Sequence, residues 1–200
     1  MNTLEAIKSR RAVKHYDPKF VIPAEDLDLL LEHTLAAPTS FNIQNWRFVL
    51  VEDKKLRLAI QEAAWNQKQI TEASLLFVLC ADLKAWDRQP ERYWKNAPKL
   101  TKDILIPMIK SFYQGKEQLQ RDEAIRSVGI AAQTIMLAAK ALGYDSCPMI
   151  GYDPVKVAQI IKLPEDHLIG MLIVIGKAIK EAWPKPGQLS LEEVFTKNTF

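Results

Sequence analysis

Two uninterrupted apolar runs, Ser74 to Ala81 and Leu168 to Gly176, constrain this chain more than any other feature. Each has strand length and falls well short of the roughly 20 residues that a membrane-crossing helix needs. A short run that is apolar at every position, bounded by polar residues, reads as a strand buried in the middle of a sheet. Helices must cover such a sheet, and the rest of the chain offers them.

Leu4 to about Ser9 forms a short helix capped by Asn2 or Thr3, with Leu4 and Ile7 on its inner face. Pro23 opens an amphipathic helix in which Leu27, Leu30, Leu31, Thr34 and Leu35 recur at helical spacing, and Pro38 closes it. Trp46 to Glu52 reads as a strand. Asp53 then starts a helix with Leu56, Ile60, Ala63 and Ala64 on one face, which dissolves into the polar run Asn66-Gln67-Lys68-Gln69. Arg121 to Leu142 carries a small-residue face of Ile125, Val128, Ala131, Ala132, Ile135, Ala138 and Ala139, fit for close packing in the centre or against a second copy. Gly143 caps it. Cys147 to Ile150 is a brief strand, and Asp153-Pro154 starts a helix reaching about Ile161. This alternation predicts a mixed α/β or α+β domain with a small central sheet covered by helices. With 200 residues and 48% apolar content, one domain over 1–200 can bury a full core. Residues 82–120 are the least regular part and read as a variable helical excursion rich in aromatics.

The net charge of +3 is modest, and acidic residues are interspersed with basic ones, which disfavours nucleic-acid binding. Cys80 and Cys147 lack metal-ligand spacing, and three scattered histidines offer no metal site. No secretory signal is visible, so a soluble, cytoplasmic protein with no membrane association is expected. Rossmann and P-loop glycine signatures are absent, and Ser40 lacks the setting of a hydrolase nucleophile.

Chemistry concentrates in two N-terminal stretches. Arg10, Arg11 and Lys14 cluster cationic donors at a helix end, where a guanidinium can grip an anion bidentately. Pro38-Thr39-Ser40-Phe41-Asn42 presents hydroxyl and amide groups in a turn pinned to the following strand. Taken alone, the first is also explained as a solvated basic patch and the second as a helix-ending loop.

The stretches Ser9-Arg10-Arg11-Ala12-Val13-Lys14-His15-Tyr16, Ala37-Pro38-Thr39-Ser40-Phe41-Asn42-Ile43-Gln44-Asn45-Trp46-Arg47-Phe48 and Gly143 to Tyr152 together resemble the flavin-dependent nitroreductase family. The resemblance implies an α+β, nitroreductase-like FMN-binding fold with a small central mixed sheet covered by helices, homodimeric with an extended C-terminal tail. It implies tightly bound FMN at the dimer interface and NADH or NADPH as transient reductant. Arg10, Arg11, Ala12 and Lys14 then line the phosphate, ribityl and pyrimidine side, with Lys14 as an electrostatic stabiliser. Pro38, Thr39, Ser40 and Asn42 approach from the other subunit. Asn66 and Gln69 face the pyrimidine edge, Ile150 and Gly151 offer backbone amides near flavin N5, and Lys185 closes on the phosphate. No side chain acts as acid or base, because flavin N5 carries the hydride. The implied activity is ping-pong reduction of small nitroaromatic or quinone-type acceptors. A flavin-binding redox sensor or partner-binding protein with little turnover is the alternative. The chain departs from the family pattern at Ile150, often Glu, at Gln69, often Lys, at Gly187, often Arg, and at Asn45, usually Pro.

Overall fold

Every residue of β2 (Leu75–Asp82) is buried, and the rest of the computed structural model, which describes residues 1–200, is arranged around it. Strands β1 (Trp46–Leu50), β2, β3 (Asp145–Met149) and β4 (His167–Gly176) form one sheet in the order β1-β2-β4-β3. All three strand pairs are antiparallel. The parallel component expected of a mixed sheet is confined to an isolated bridge between Ala12, which belongs to no strand, and Ser146 on the outer edge of β3.

Alternation along β2 divides the core in two. Leu75, Phe77, Leu79 and Ala81 point to one face with Ile173 and Ile175 of β4. There they meet α6 (Glu117–Ala141) through Val128, Ala131, Ala132 and Ile135, and α2 (Ala24–Leu35) through Leu30. Leu76, Val78 and Cys80 point to the other face with Leu172 and Val174. Ile60 and Ala63 of α3 (Lys54–Ala63) and Val157 of α7 (Pro154–Ile160) cover that side. Each buried aliphatic side chain contributes about 1.5–3 kcal/mol, so the two-sided burial of β2 is the main stabilising feature.

Gly170 shows how closely α6 approaches. The β2–β4 register slips between Leu79 and Cys80, leaving Gly170 as the extra residue of a bulge. A Cβ there would stand 2.4 Å from Val128 Cγ1.

The helix boundaries follow their caps. Asn2 forms a capping box with Glu5 at the start of α1 (Thr3–Ser9), and Asp53 and Asp153 accept backbone N–H groups at the starts of α3 and α7. Gly143 takes the left-handed φ of +88° expected of a helix stop. The 82–120 excursion contains a 3-10 turn over Pro90–Trp94, helix α5 (Lys99–Tyr113) and the first residues of α6. It has a small core of its own, Trp86, Ile109 and Tyr113 with Ile43.

Three local expectations are corrected. Leu4 and Ile7 do not face inward: they are 78% and 50% exposed, and Ala6 is the buried residue of α1. Ile125 of α6 also faces solvent, because the helix presents its Ala-rich stripe to the sheet. The polar run after α3 continues into a further single-turn helix, α4 (Gln69–Glu72). No helix is long and apolar enough to cross a membrane.

Candidate functional site

The predicted site residues occupy both outer edges of the sheet. Arg10 to Lys14 follow α1 and run beside β3, with the Val13 N–H donating to Ser146 O at 3.1 Å next to the Ala12–Ser146 bridge. Pro38 to Asn42 lead into β1 at the opposite edge. Three inter-strand steps separate these edges, about 14 Å at the usual spacing. Within one subunit the two stretches therefore lie at opposite edges of the sheet.

At the β3 edge the cationic residues differ in how free they are. Arg11 donates to the carbonyls of Lys8 (2.9 Å) and Arg10 (3.0 Å), closing the C-terminal end of α1. It also lines a groove of about 600 Å3 with Ser9, Lys140 and Asp145. The Arg10 side chain is half-buried, and its Nη1 is enclosed without any hydrogen-bond partner. An enclosed guanidinium nitrogen left in this state costs stability, a cost that an anion would relieve once a shift of the side chain brought the two together. Burial pushes the Cys147 thiol up, while the charges of Lys14 and Arg10 act in the opposite direction, so both cations project their field onto β3. The thiol itself is buried and free, as is that of Cys80, which burial alone pushes up to about 12.

Where β3 ends, Ile150 is 81% exposed, and the N–H groups of Ile150 and Gly151 donate to nothing in the chain. The Asn66–Gln69 segment packs against this turn. Gln67 Nε2 donates to the Gly151 carbonyl at 2.7 Å, and the buried Gln69 donates from Nε2 to Gln67 Oε1 at 3.0 Å. A Cβ on Gly151 would lie 2.9 Å from the Trp65 ring. Sequence reasoning selected Gln69 and Gly151 but missed Gln67, which connects them. A glutamine in a polar run carries no signal for a partner 84 positions away.

At the β1 edge, the 3-10 turn over Ser40–Asn42 holds the second stretch. Asn42 Nδ2 donates to Tyr93 O (2.8 Å), Trp94 Nε1 to Phe41 O (3.0 Å), and the Gln44 N–H to Thr39 Oγ1 (3.0 Å). The Ser40 N–H reaches Glu123 of α6 at 3.4 Å. Pro38 is exposed. Phe41, Asn42 and Gln44 have φ of 50°, 54° and 43°, and Trp65 and Asn66 have 54° and 59°. Left-handed backbone at such residues is strained and concentrates at functional sites, and here it falls in both polar segments. Lys185 lies in an exposed tail and its ammonium makes no ion pair.

Away from these edges, ligand atoms of Asp82, Asp166 and His167 lie within 4.8 Å of one another. Arg47 (3.1 Å) and Arg88 (2.9 Å) already hold the buried Asp82 carboxylate, and Arg88 also pairs with Asp166, so ion pairing accounts for the cluster.

The small antiparallel sheet between helical layers, with a cationic edge and a strained polar edge, defines the class as a nitroreductase-like α+β protein. Residues 7–177 match the model of the Nitroreductase family, and the chain belongs to that family. It is 53% identical over 196 residues to Protein DrgA of Synechocystis sp., covering 96% of this chain and 93% of that protein. YodC of Bacillus subtilis, whose name assigns it provisionally to the NAD(P)H nitroreductases, is 36% identical over 200 residues, with 98% of each chain covered. The structure of an Exiguobacterium sibiricum protein in complex with FMN superposes with a TM-score of 0.91 at 28% identity, covering 98% of this chain and 97% of that one.

Proposed function

We propose that this chain is an FMN-dependent NAD(P)H oxidoreductase acting as a homodimer of single-domain subunits on small nitroaromatic or quinone-type acceptors. The observation that carries the reading is the pairing at the β3 edge of an enclosed, partnerless Arg10 Nη1 with the two free backbone N–H groups of Ile150 and Gly151. One donor set suits a phosphate and the other a polar ring edge, as the ends of FMN require. The FMN complex of the Exiguobacterium relative supports the choice of cofactor.

In this reading Arg10 holds the phosphate, with Lys185 reaching it from the tail. Lys14 supplies positive potential beside the pyrimidine, which favours the negative charge that reduction places there. Gln69 and Asn66 present amides to the pyrimidine edge, and Ile150 and Gly151 aim backbone N–H groups at the region of N5. Pro38, Thr39, Ser40 and Asn42 of a second copy close the open side and exclude water. When bound, FMN would supply two-electron redox chemistry between a nicotinamide and the acceptor. No side chain is required to move a proton at N5.

Several apolar surfaces of the isolated subunit lack a partner and support the dimer. Leu4 and Ile7 on α1, Ile125 and Ile130 on α6, and Trp183, Leu191 and Phe195 in the tail are all at least 42% exposed.

The test is a visible spectrum of the purified protein with light scattering on the same sample, followed by anaerobic mixing with NADH and with NADPH. A dimer with flavin absorbance near about 450 nm that bleaches with either nucleotide is expected. Colourless protein that gains no absorbance with added FMN, or a monomer that retains flavin, would overturn the reading.

A further inference from the structure

A groove of about 800 Å3 opens beside Asn42, between the start of β1 and the segment around the 90–94 turn, and the flavin-holding residues leave it unassigned. Its size is that of a small-molecule site, typically about 300–1,000 Å3. Trp46 and Arg47 form one wall, and Arg92, Tyr93, Trp94 and Lys95 the other. The Asn42–Tyr93 and Trp94–Phe41 hydrogen bonds staple the two walls together at the Asn42 end.

The lining has three cations and no carboxylate. Arg47 is committed, because it donates to Gln44 O and Trp46 O and pairs with Asp82 behind the wall. The other two are not neutralised. Arg92 lies over the Tyr93 ring, 4.8 Å from its centroid, with Nη2 donating to Tyr93 Oη at 2.7 Å, and it has no acidic partner. The Lys95 ammonium makes no ion pair. Trp46, 6% exposed, keeps an unpartnered Nε1 in the wall. Cations without counter-charges beside aromatic faces recognise an anion attached to a flat ring, since the ring stacks while the guanidinium and ammonium bind its charge.

We propose that this groove binds an anionic group attached to a flat aromatic ring or held on the sugar next to one, and so selects among the small molecules that react at the adjoining flavin. The proposal rests on the functional reading above, in which the 38–42 loop that borders the groove covers the flavin of the second copy. Two sources share this chemistry. One is an acceptor bearing a carboxylate or sulfonate on its ring, and the other is an adenine nucleotide whose 2′-phosphate, on the ribose next to the adenine, distinguishes NADPH from NADH.

The test is calorimetric titration of the FMN-loaded protein with naphthalene-2-sulfonate against naphthalene-2-sulfonamide, and with 2′,5′-ADP against 5′-AMP. Each pair is repeated on the double variant Arg92→Gln, Lys95→Gln, whose two positions are exposed and outside the flavin-binding set. At least one anion is expected to bind about tenfold more tightly than its counterpart, with that preference lost in the double variant. A preference for the sulfonate alone identifies the acceptor as the source, for 2′,5′-ADP alone the nicotinamide nucleotide, and for both a shared anion subsite. Anions binding no better than their counterparts, or a preference that survives the double variant, would overturn the proposal. Flavin absorbance and NAD(P)H oxidation with an uncharged quinone read the underlying function separately. Coloured, active protein without anion preference rejects the groove alone, whereas colourless protein rejects the oxidoreductase reading whatever the titrations give.

Discussion

Gln67→Ala tests the least obvious connection at the candidate site. Gln67 donates to the Gly151 carbonyl at 2.7 Å and accepts from Gln69 at 3.0 Å, so truncation removes one hydrogen bond and strands another donor. The lost bond is worth about 1 kcal/mol net, and a buried amide left unpaired costs about 1–3 kcal/mol more. Gln69 is only 5% exposed, so little water reaches its amide in the flavin-free protein to replace the lost bond. The expected destabilisation is about 2–4 kcal/mol, read as a lower urea midpoint for flavin-free protein at fixed concentration. Gln67→Glu separates the two halves. It keeps an acceptor for Gln69 but sets a carboxylate against the Gly151 carbonyl, so the turn that presents the Ile150 and Gly151 N–H groups must shift. FMN affinity is expected to fall by about tenfold in both variants. Wild-type urea midpoints together with wild-type FMN affinity in both would refute the reasoning.

Arg10→Ala should act in opposite directions on stability and binding. Removing the enclosed, partnerless guanidinium nitrogen leaves the flavin-free protein as stable or up to about 1 kcal/mol more stable, while FMN binding weakens by about 1.5–3 kcal/mol; thermal melts and a flavin titration measure the two. Arg57 donates to the carbonyls of Val51, Ala73 and Ser74 at 2.8, 2.7 and 2.9 Å, tying the end of β1 to the start of β2, and its burial lowers its pKa. Arg57→Met should cost about 3 kcal/mol in urea unfolding, and Arg57→Lys should recover only part, because an ammonium cannot reproduce the planar fork. Asp166 is held below the usual carboxylate range, first by its hydrogen bond with His167 and also by the charge of Arg88. A carboxylate depressed in the folded state adds stability that is complete above its unfolded pKa of about 3.9 and lost as pH falls through the folded value. The stability gap between wild type and Asp166→Asn should therefore narrow on acidification below about pH 4, as followed by melting temperature.

β2 and β4 were legible because the runs Leu75 to Ala81 and Leu168 to Gly176 carry no polar side chain and have strand length, a pattern that suits a strand buried on both faces. Asp53, Asp153-Pro154 and Gly143 marked helix ends through capping chemistry that acts over three or four residues. What stayed hidden depends on distant partners. Leu4 and Ile7 carry a helical spacing that says they share a face but not whether this subunit covers it. α4 is a single turn inside a polar run, too short for any period to show. Strand order is likewise absent from local pattern, so the placement of Arg10 and Asn42 at opposite edges emerged only from the pairing of β1, β2, β4 and β3.

That edge-to-edge separation gives the proposed cofactor site an unusual dependence on abundance. A ring held by one copy's β3 edge and another copy's β1 edge makes occupancy second order in polypeptide, so dilution alone would strip the flavin and added FMN would drive assembly. Newly made subunits at low copy number would be colourless and inactive, switching on together as their concentration passes a threshold set jointly by the interface and the ligand.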